Sequence, residues 1–439
     1  MTNQDVYDVI IIGAGPAGIF TAFELAKLGI KRVLIVEKGL VPHRRKCPRK
    51  EICLECSPCS EIEGVGGAGG FSDGKLCNGP VGIDKDIIGE DYLELVNYVN
   101  NILIQFLGHD YKINQFSKTI STQIGHLSIS TTPVIRLGSI EIREAFAKMF
   151  DFLSVSKETR AKATDILPDK NSIFVITTKT GKTIRSRRLI IATGKCGFTF
   201  REKVIKVFSL KTTLNTPQIG VRLETSFKDM EGLLKLGPNP KIKRSFEYGH
   251  VKTHCFNHRG EVMVYKCGPF VLVGGRLISA QHLTQYSNVN IVYKILSREK
   301  VPVVFQTLQD VKRNVGLSVL SQNLLEFLKL KPLGSTTRNP YLLGATTVDF
   351  IDFYPEFVIT SLKKFIEDMV TNNFLTLSDD AFVYGPAIEW LLPKVSVNEF
   401  GETSKPGLFI IGDASGKTQG IIAASIMGVR AARKIAKSL

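Results

Sequence analysis

Short, wholly apolar runs mark both ends of this chain. Val9-Ile10-Ile11-Ile12 and Val33-Leu34-Ile35-Val36 are too brief for helices and carry no polar positions, as expected of strands covered on both faces. Between them, Ile19, Phe20, Ala22, Phe23 and Ala26 recur at helical spacing. Leu408-Phe409-Ile410-Ile411 repeats the buried-strand pattern, and a helix is expected from Gly420-Ile421 to the C-terminus. Its small residues Gly420, Ala424, Gly428 and Ala432 fall every four positions, giving a flat face suited to press on a sheet. A fourth run, Leu189-Ile190-Ile191, ends in Ala192-Thr193-Gly194 after a strand–turn–strand stretch over 173–184. The middle of the chain reads differently. One helix is expected over 92–107, strands over 219–224, 251–256, 262–265 and 289–293, then helices over 317–328 and 355–373. The pattern predicts an α/β fold in which residues 1–77, 135–200 and 376–439 form a discontinuous Rossmann-type domain. Residues 78–134 and 201–375 form an inserted α+β substrate or cap domain.

The first two strands and the helix between them enclose Gly13-x-Gly15-x-x-Gly18 and end in Glu37. Gly13 permits the tight turn, Gly15 lets the backbone approach a pyrophosphate, and Gly18 lets the helix lie close on the sheet. Free N–H groups at the helix start, beside Pro16 and Ala17, suit phosphate. An acid at the position of Glu37, followed by Lys38, accepts hydrogen bonds from a ribose. This is a dinucleotide site in full context.

Three elements narrow the dinucleotide. Gly412-Asp413 closes the 408–411 strand, Gly420-Ile421 opens the last helix, and Ala192-Thr193-Gly194 closes a third strand. Together they resemble the flavin half of FAD-dependent oxidoreductases of the glutathione-reductase-like fold. There the aspartate holds the ribityl chain, and the helix N-terminus faces the pyrimidine edge of the flavin, where reduced flavin gathers negative charge. The run Gly64-Val65-Gly66-Gly67-Ala68-Gly69-Gly70-Phe71-Ser72-Asp73-Gly74-Lys75-Leu76 further resembles the Gly-Gly-Ala-Gly-x-Phe-Ser-Asp-Gly-Lys-Leu signature of a family of FAD-dependent dehydrogenases. That resemblance extends through Thr253-His254-Cys255-Phe256, Gly260-Glu261-Val262, 288–292, Tyr384-Gly385-Pro386 and 412–421. Members carry Glu where this chain has Ala387, so no role passes to that position. The resemblance implies bound FAD, with Gly69, Gly70, Ser72, Asp73 and Ala163 joining the contacts above, and redox chemistry on an unspecified substrate.

With 57 Lys and Arg against 41 Asp and Glu, the chain carries a formal charge of +16. Solvated faces account for most such excess; an acidic electron carrier, an anionic substrate or RNA are the sharper readings. Basic runs at 43–50 and 179–188 lack interleaved aromatics, which argues against nucleic acid. No apolar run approaches the roughly 20 residues of a membrane span. The first strand begins within a few residues of Met1, so no signal peptide and a cytoplasmic setting are expected. The eight cysteines are accordingly expected to be reduced thiols or metal ligands. Cys47-x5-Cys53-x2-Cys56-x2-Cys59 places four thiols in thirteen residues, the last two gaps of two residues each. An iron–sulfur cluster and a zinc ion are the metal readings, free thiols the alternative. A disulfide reductase would need Cys-x4-Cys beyond its glycines, and only Cys77 follows them here.

No second nucleotide fold is visible, so NAD(P)H would bind transiently at the flavin. Catalytic candidates are Lys75, His254 and Tyr384, with Asp73 and Arg276 as further polar groups. Three readings follow: an FAD-dependent oxidoreductase passing hydride or electrons through flavin N5 to or from a small molecule, an iron–sulfur-linked electron-transfer flavoprotein, and a flavin-dependent RNA-modifying protein.

Overall fold

A computed structural model describes residues 6–107, 114–116, 120–168, 173–279 and 281–439. Strand Val6–Ile12 lies at the centre of a seven-stranded sheet. It pairs in parallel with Val33–Val36 on one side and Thr183–Ile191 on the other. Leu408–Ile410 adds in parallel to the outer side of the latter. Alternation along these strands divides the core. Val9, Ile11, Val33, Ile35, Ile190 and Phe409 pack under helices Pro16–Lys27, Tyr92–Leu107, Ser139–Phe152 and Ile421–Ala436. Ile10, Ile12, Leu34, Val36, Leu189 and Ile191 face the opposite side, against Phe200, Val204 and the strands Ala163–Pro168 and Phe174–Thr178. Covering on both faces is why the runs lack polar positions.

The C-terminal helix departs from expectation. Its small-residue stripe packs on helix Pro16–Lys27 rather than on the sheet. A Cβ at Gly428 would run into the Ala17 carbonyl oxygen, and Thr21 Oγ1 donates to the Gly428 carbonyl at 3.3 Å. Gly428→Ala is therefore expected to destabilise, although alanine favours a helix interior by about 1 kcal/mol. Forcing backbone apart in a packed core costs about 1–3 kcal/mol. A lower urea midpoint than wild type checks this.

A nine-stranded sheet forms the second body, antiparallel except where Leu320–Asn323 meets Thr346–Thr347. Strands Gln218–Ser226, Gly249–Asn257 and Tyr286–Ile295 fill its middle, and helix Glu356–Thr371 lies on one face. Ile219, Val221, Leu223, Val251, Val289, Ile291 and Tyr293 join that helix in the largest core. The alternate positions (Gln218, Arg222, Lys252, His254, Asn290 and Lys294) are polar and look into a cavity beneath the sheet.

Two expectations are corrected. Residues 317–328 hold a strand, Leu320–Asn323, and only a four-residue helix, Leu324–Phe327, because backbone pairing with Phe382–Glu389 outweighs the helical spacing of the leucines. That partner strand, grouped by sequence with the Rossmann-type domain, pairs within the second sheet.

Candidate functional site

One cavity of about 640 Å³ runs from the glycine turn to the polar face of the second sheet, within the size of small-molecule sites. Its near end is built by local backbone demands. Gly13 sits at φ +107°, where a Cβ would strike the Ala192 carbonyl. Gly18 touches the Gly13 carbonyl so closely that no Cβ fits, and it lies outside the cavity. Gly15 differs: the nearest atom to its would-be Cβ is Gly67 Cα at 3.8 Å, so the space over this turn is open. Pro16 and Ala17 begin a twelve-residue helix with no side-chain cap, leaving backbone N–H groups free to take an anion. Glu37 is buried, its Oε2 accepting from Ala14 N at 2.8 Å and its Oε1 from Gly39 N at 2.7 Å. Each oxygen keeps a lone pair for a further donor. Lys38 and Ala163 line the same end.

Further in, Ala192, Thr193 and Gly194 line the cavity beside Gly412 and Asp413, at the ends of two paired strands, together with Gly420 and Ile421. Gly420, at φ +101°, has nothing within 4 Å of a would-be Cβ, and neither does Gly194. Thr193 Oγ1 is buried without a partner. The Asp413 carboxylate makes no hydrogen bond among the described residues. Burial pushes it up to about 7, with Lys195 opposing and Glu389 adding. Such open glycines and orphaned polar groups fit a dinucleotide laid along this path.

At the far end Ser72, Asp73 and Lys75 form one wall, while Gly69, also on the cavity, lies back against Pro16 and Ile421. Lys75 Nζ stands 2.9 Å from Asp73 Oδ2 and 3.2 Å from Asn257 Oδ1, and also donates to the Phe256 carbonyl. The Cys255 thiol donates to Asp73 Oδ2 at 3.0 Å. Burial alone would raise Asp73; Lys75 and these hydrogen bonds hold it at about 2. His254 is driven well below its usual value by burial and by Lys241 and Lys252, so its imidazole is neutral. Lys195 donates to the Tyr265 hydroxyl at 3.0 Å.

Not every expected residue is here. Tyr384 is fully buried among Phe382, Val264 and Val273, off the cavity, because its strand turns that position into a small core between sheets. Gly70 packs on Phe146 instead of lining the cavity. Arg276 is held by Glu61 at 2.8 Å and Glu261 at 2.6 Å.

The cysteine loop is a larger correction. Cys47 is exposed, Cys53 and Cys56 are half-buried, and Cys59 is buried. No group of three His, Cys, Asp or Glu among the described residues could hold a metal ion. All four cysteines line one void of about 20 Å³ against Val264, Tyr265 and Lys266, room for a water molecule and not for a cluster. Nor are all thiols reduced: Cys196 is bonded to Cys267 across 71 residues, which ties the loop after Gly194 to strand Glu261–Cys267. Sequence reasoning missed this pair, and also Lys195, Lys241, Lys252, Asn290, Lys294 and Glu389 in the cavity wall. Only the alternation His250-x-Lys252-x-His254 hinted at it.

Residues 7–213 match the family model described as pyridine nucleotide-disulphide oxidoreductase, just under half of the chain. No curated protein matches the sequence. Among solved structures the chain is similar to a flavoprotein/dehydrogenase from Cytophaga hutchinsonii (TM-score 0.43, 14% identity, 98% of this chain and 77% of that one). It is also similar to 2,6-dihydroxypyridine-3-hydroxylase from Arthrobacter nicotinovorans (TM-score 0.49, 11% identity, 98% and 83%). A third is glycine oxidase from Geobacillus kaustophilus (TM-score 0.42, 13% identity, 99% and 94%). The family match and the Rossmann-type sheet with its glycine turn define the class of protein: an FAD-dependent oxidoreductase. No helix among the described residues is long and apolar enough to cross a membrane.

Proposed function

We propose that this protein binds FAD along the cavity and uses it to exchange hydride or electrons with a small molecule held under the second sheet. The signature at 64–76 supports a place among FAD-dependent dehydrogenases. The observation that carries the reading is the unbroken cavity joining Gly15, Asp413 and Lys75. Glu37 accepts from the adenosine ribose. The N–H groups at Pro16–Lys27 take the pyrophosphate, and Asp413 accepts from the ribityl hydroxyls. The N-terminus of Ile421–Ala436 supports negative charge at the pyrimidine edge. Bound FAD supplies two-electron chemistry at its N5. This chain's residues position and desolvate the reactants. The Asp73–Lys75 ion pair sets a fixed dipole beside the reacting centre, and His254, which its surroundings keep from taking a proton, serves as a neutral hydrogen-bonding group. Reducing equivalents come from the substrate itself or from NAD(P)H visiting the open flavin face. A cytoplasmic setting is part of this reading. The iron–sulfur alternative lacks its ligand set.

Purified protein is expected to be yellow and to release one FAD per chain on denaturation, identified by mass spectrometry. Colourless protein that FAD cannot reconstitute overturns the reading.

A further inference from the structure

The roof of the cavity carries a charge that the flavin reading leaves unexplained. Lys241, Lys252 and Lys294 come from three neighbouring strands of the second sheet and all line the cavity. Register puts them on one face: Lys252 lies opposite Val292 and Lys294 opposite Gln218, while Lys241 lies two positions from Lys243, which pairs with Lys252. None has a carboxylate within ion-pair distance among the described residues; Lys241 reaches only the His254 Nδ1, at 3.4 Å. Two amides complete the surface. Gln218 and Asn290 are each 2% exposed, line the cavity, and leave their side-chain oxygens unbonded. An amide oxygen repels an anion, so each serves the site only through its NH₂ group, which rotation of the terminal amide brings to the place of the unbonded oxygen. Clustering three unpaired ammonium groups on the half-buried wall of one cavity is unfavourable by mutual repulsion unless something negative is bound there.

We propose that Lys241 and Lys252, with the amides of Gln218 and Asn290, form an anion site that selects a small substrate bearing a carboxylate or phosphate group. This deepens the FAD reading and rests on it for the chemistry, though not for the binding. Glu389, on the same face, sets a limit on one side, where it accepts from Gln419 and repels a second negative group. Burial and the cations Lys241 and Lys294 pull Lys252 down to about 7, with Glu389 opposing and Lys243 adding. His250 and His254 on its own strand stay neutral by burial. An anion binds the protonated Lys252, so affinity should fall as pH rises through 7.

The test uses FAD-loaded protein, its flavin content measured first, titrated calorimetrically with succinate, inorganic phosphate and neutral succinamide. At least one anion should bind and succinamide should not; which anion binds tells carboxylate from phosphate. Lys252→Met and Lys241→Met should each weaken that anion roughly tenfold or more, as for loss of a hydrogen bond to a charged group. Lys243→Met, at an exposed neighbour on the same face, should change it less than about twofold. Binding should weaken between pH 6 and 8.5 in wild type and lose that dependence in Lys252→Met. Absence of binding by both anions, equal binding of succinamide, or wild-type isotherms in both lysine variants overturns the proposal. A shifted flavin potential with unchanged isotherms overturns it too and assigns the lysines to reduced flavin. Colourless protein would defeat the FAD reading alone, since the same isotherms remain measurable without flavin.

Discussion

Gly15→Val should yield a protein that folds and unfolds like the wild-type apoprotein yet elutes without flavin. The two halves of that expectation come from different observations. Gly15 lies at φ −77°, accessible to any residue, and a Cβ there meets nothing closer than Gly67 Cα at 3.8 Å. The new Cβ therefore fits in the apoprotein, and Gly15 lines the open cavity into which the branch can extend. That room is where a pyrophosphate would lie against the first helix, so the side chain and the cofactor cannot coexist. Loss of close contact with the helix N-terminus and of its charge-assisted hydrogen bonds should weaken FAD by at least about a hundredfold, counting roughly 1.5–3 kcal/mol for each such bond. Gly13→Val makes the contrast. At φ +107°, against the Ala192 carbonyl, it should lose the fold together with the flavin. Thermal melts of both apoproteins beside FAD titrations decide this. A Gly15→Val protein that binds FAD normally would remove the pyrophosphate from this turn.

The part of the molecule that was legible in sequence is the part governed by local rules. Strand, glycine turn, helix, strand and Glu37 appear together because each constraint acts within about thirty residues, and both-face burial writes itself as Ile10-Ile11-Ile12. Helices Tyr92–Leu107 and Glu356–Thr371 were likewise readable from apolar spacing. What was not legible depends on partners distant in the chain. Leu320–Asn323 becomes a strand only because Phe382–Glu389 lies beside it. Cys196 finds Cys267 through the packing of a loop on a hairpin. The crowding of Cys47 to Cys59 suggested a metal because close spacing permits convergence; the four do line one small void, but no three of them come into metal-holding positions, which spacing alone does not enforce. The basic roof is the clearest case. Lys241, Lys252 and Lys294 are ordinary strand lysines one at a time, and only the register of three strands makes them a cluster.

Asp413 should link FAD affinity to pH, and removing its charge should trade binding for stability. Burial raises this carboxyl to about 7, Lys195 opposing and Glu389 adding, and no group among the described residues donates a hydrogen bond to it. In the unfolded chain it titrates near 3.8. A folded value above the unfolded one means that the folded apoprotein gives up stability as pH rises from about 4 through 7, because the buried carboxyl must then ionise. Asp413→Asn removes that cost, so the variant apoprotein should melt higher than wild type at pH 8 and not at pH 4. Binding runs the other way. Ribityl hydroxyls donate to a carboxylate more strongly than to an amide, and a charged hydrogen bond contributes about 1.5–3 kcal/mol. Asp413→Asn and Asp413→Ala should therefore weaken FAD roughly tenfold to a hundredfold at pH 8. Wild-type affinity should also decline below pH 7, where the carboxyl must lose a proton to bind, while the Asn variant's affinity should stay flat. Measured by FAD titration and thermal melts at pH 4, 6 and 8, a pH-independent wild-type affinity, or a variant that binds as well as wild type, would take Asp413 out of the cofactor site.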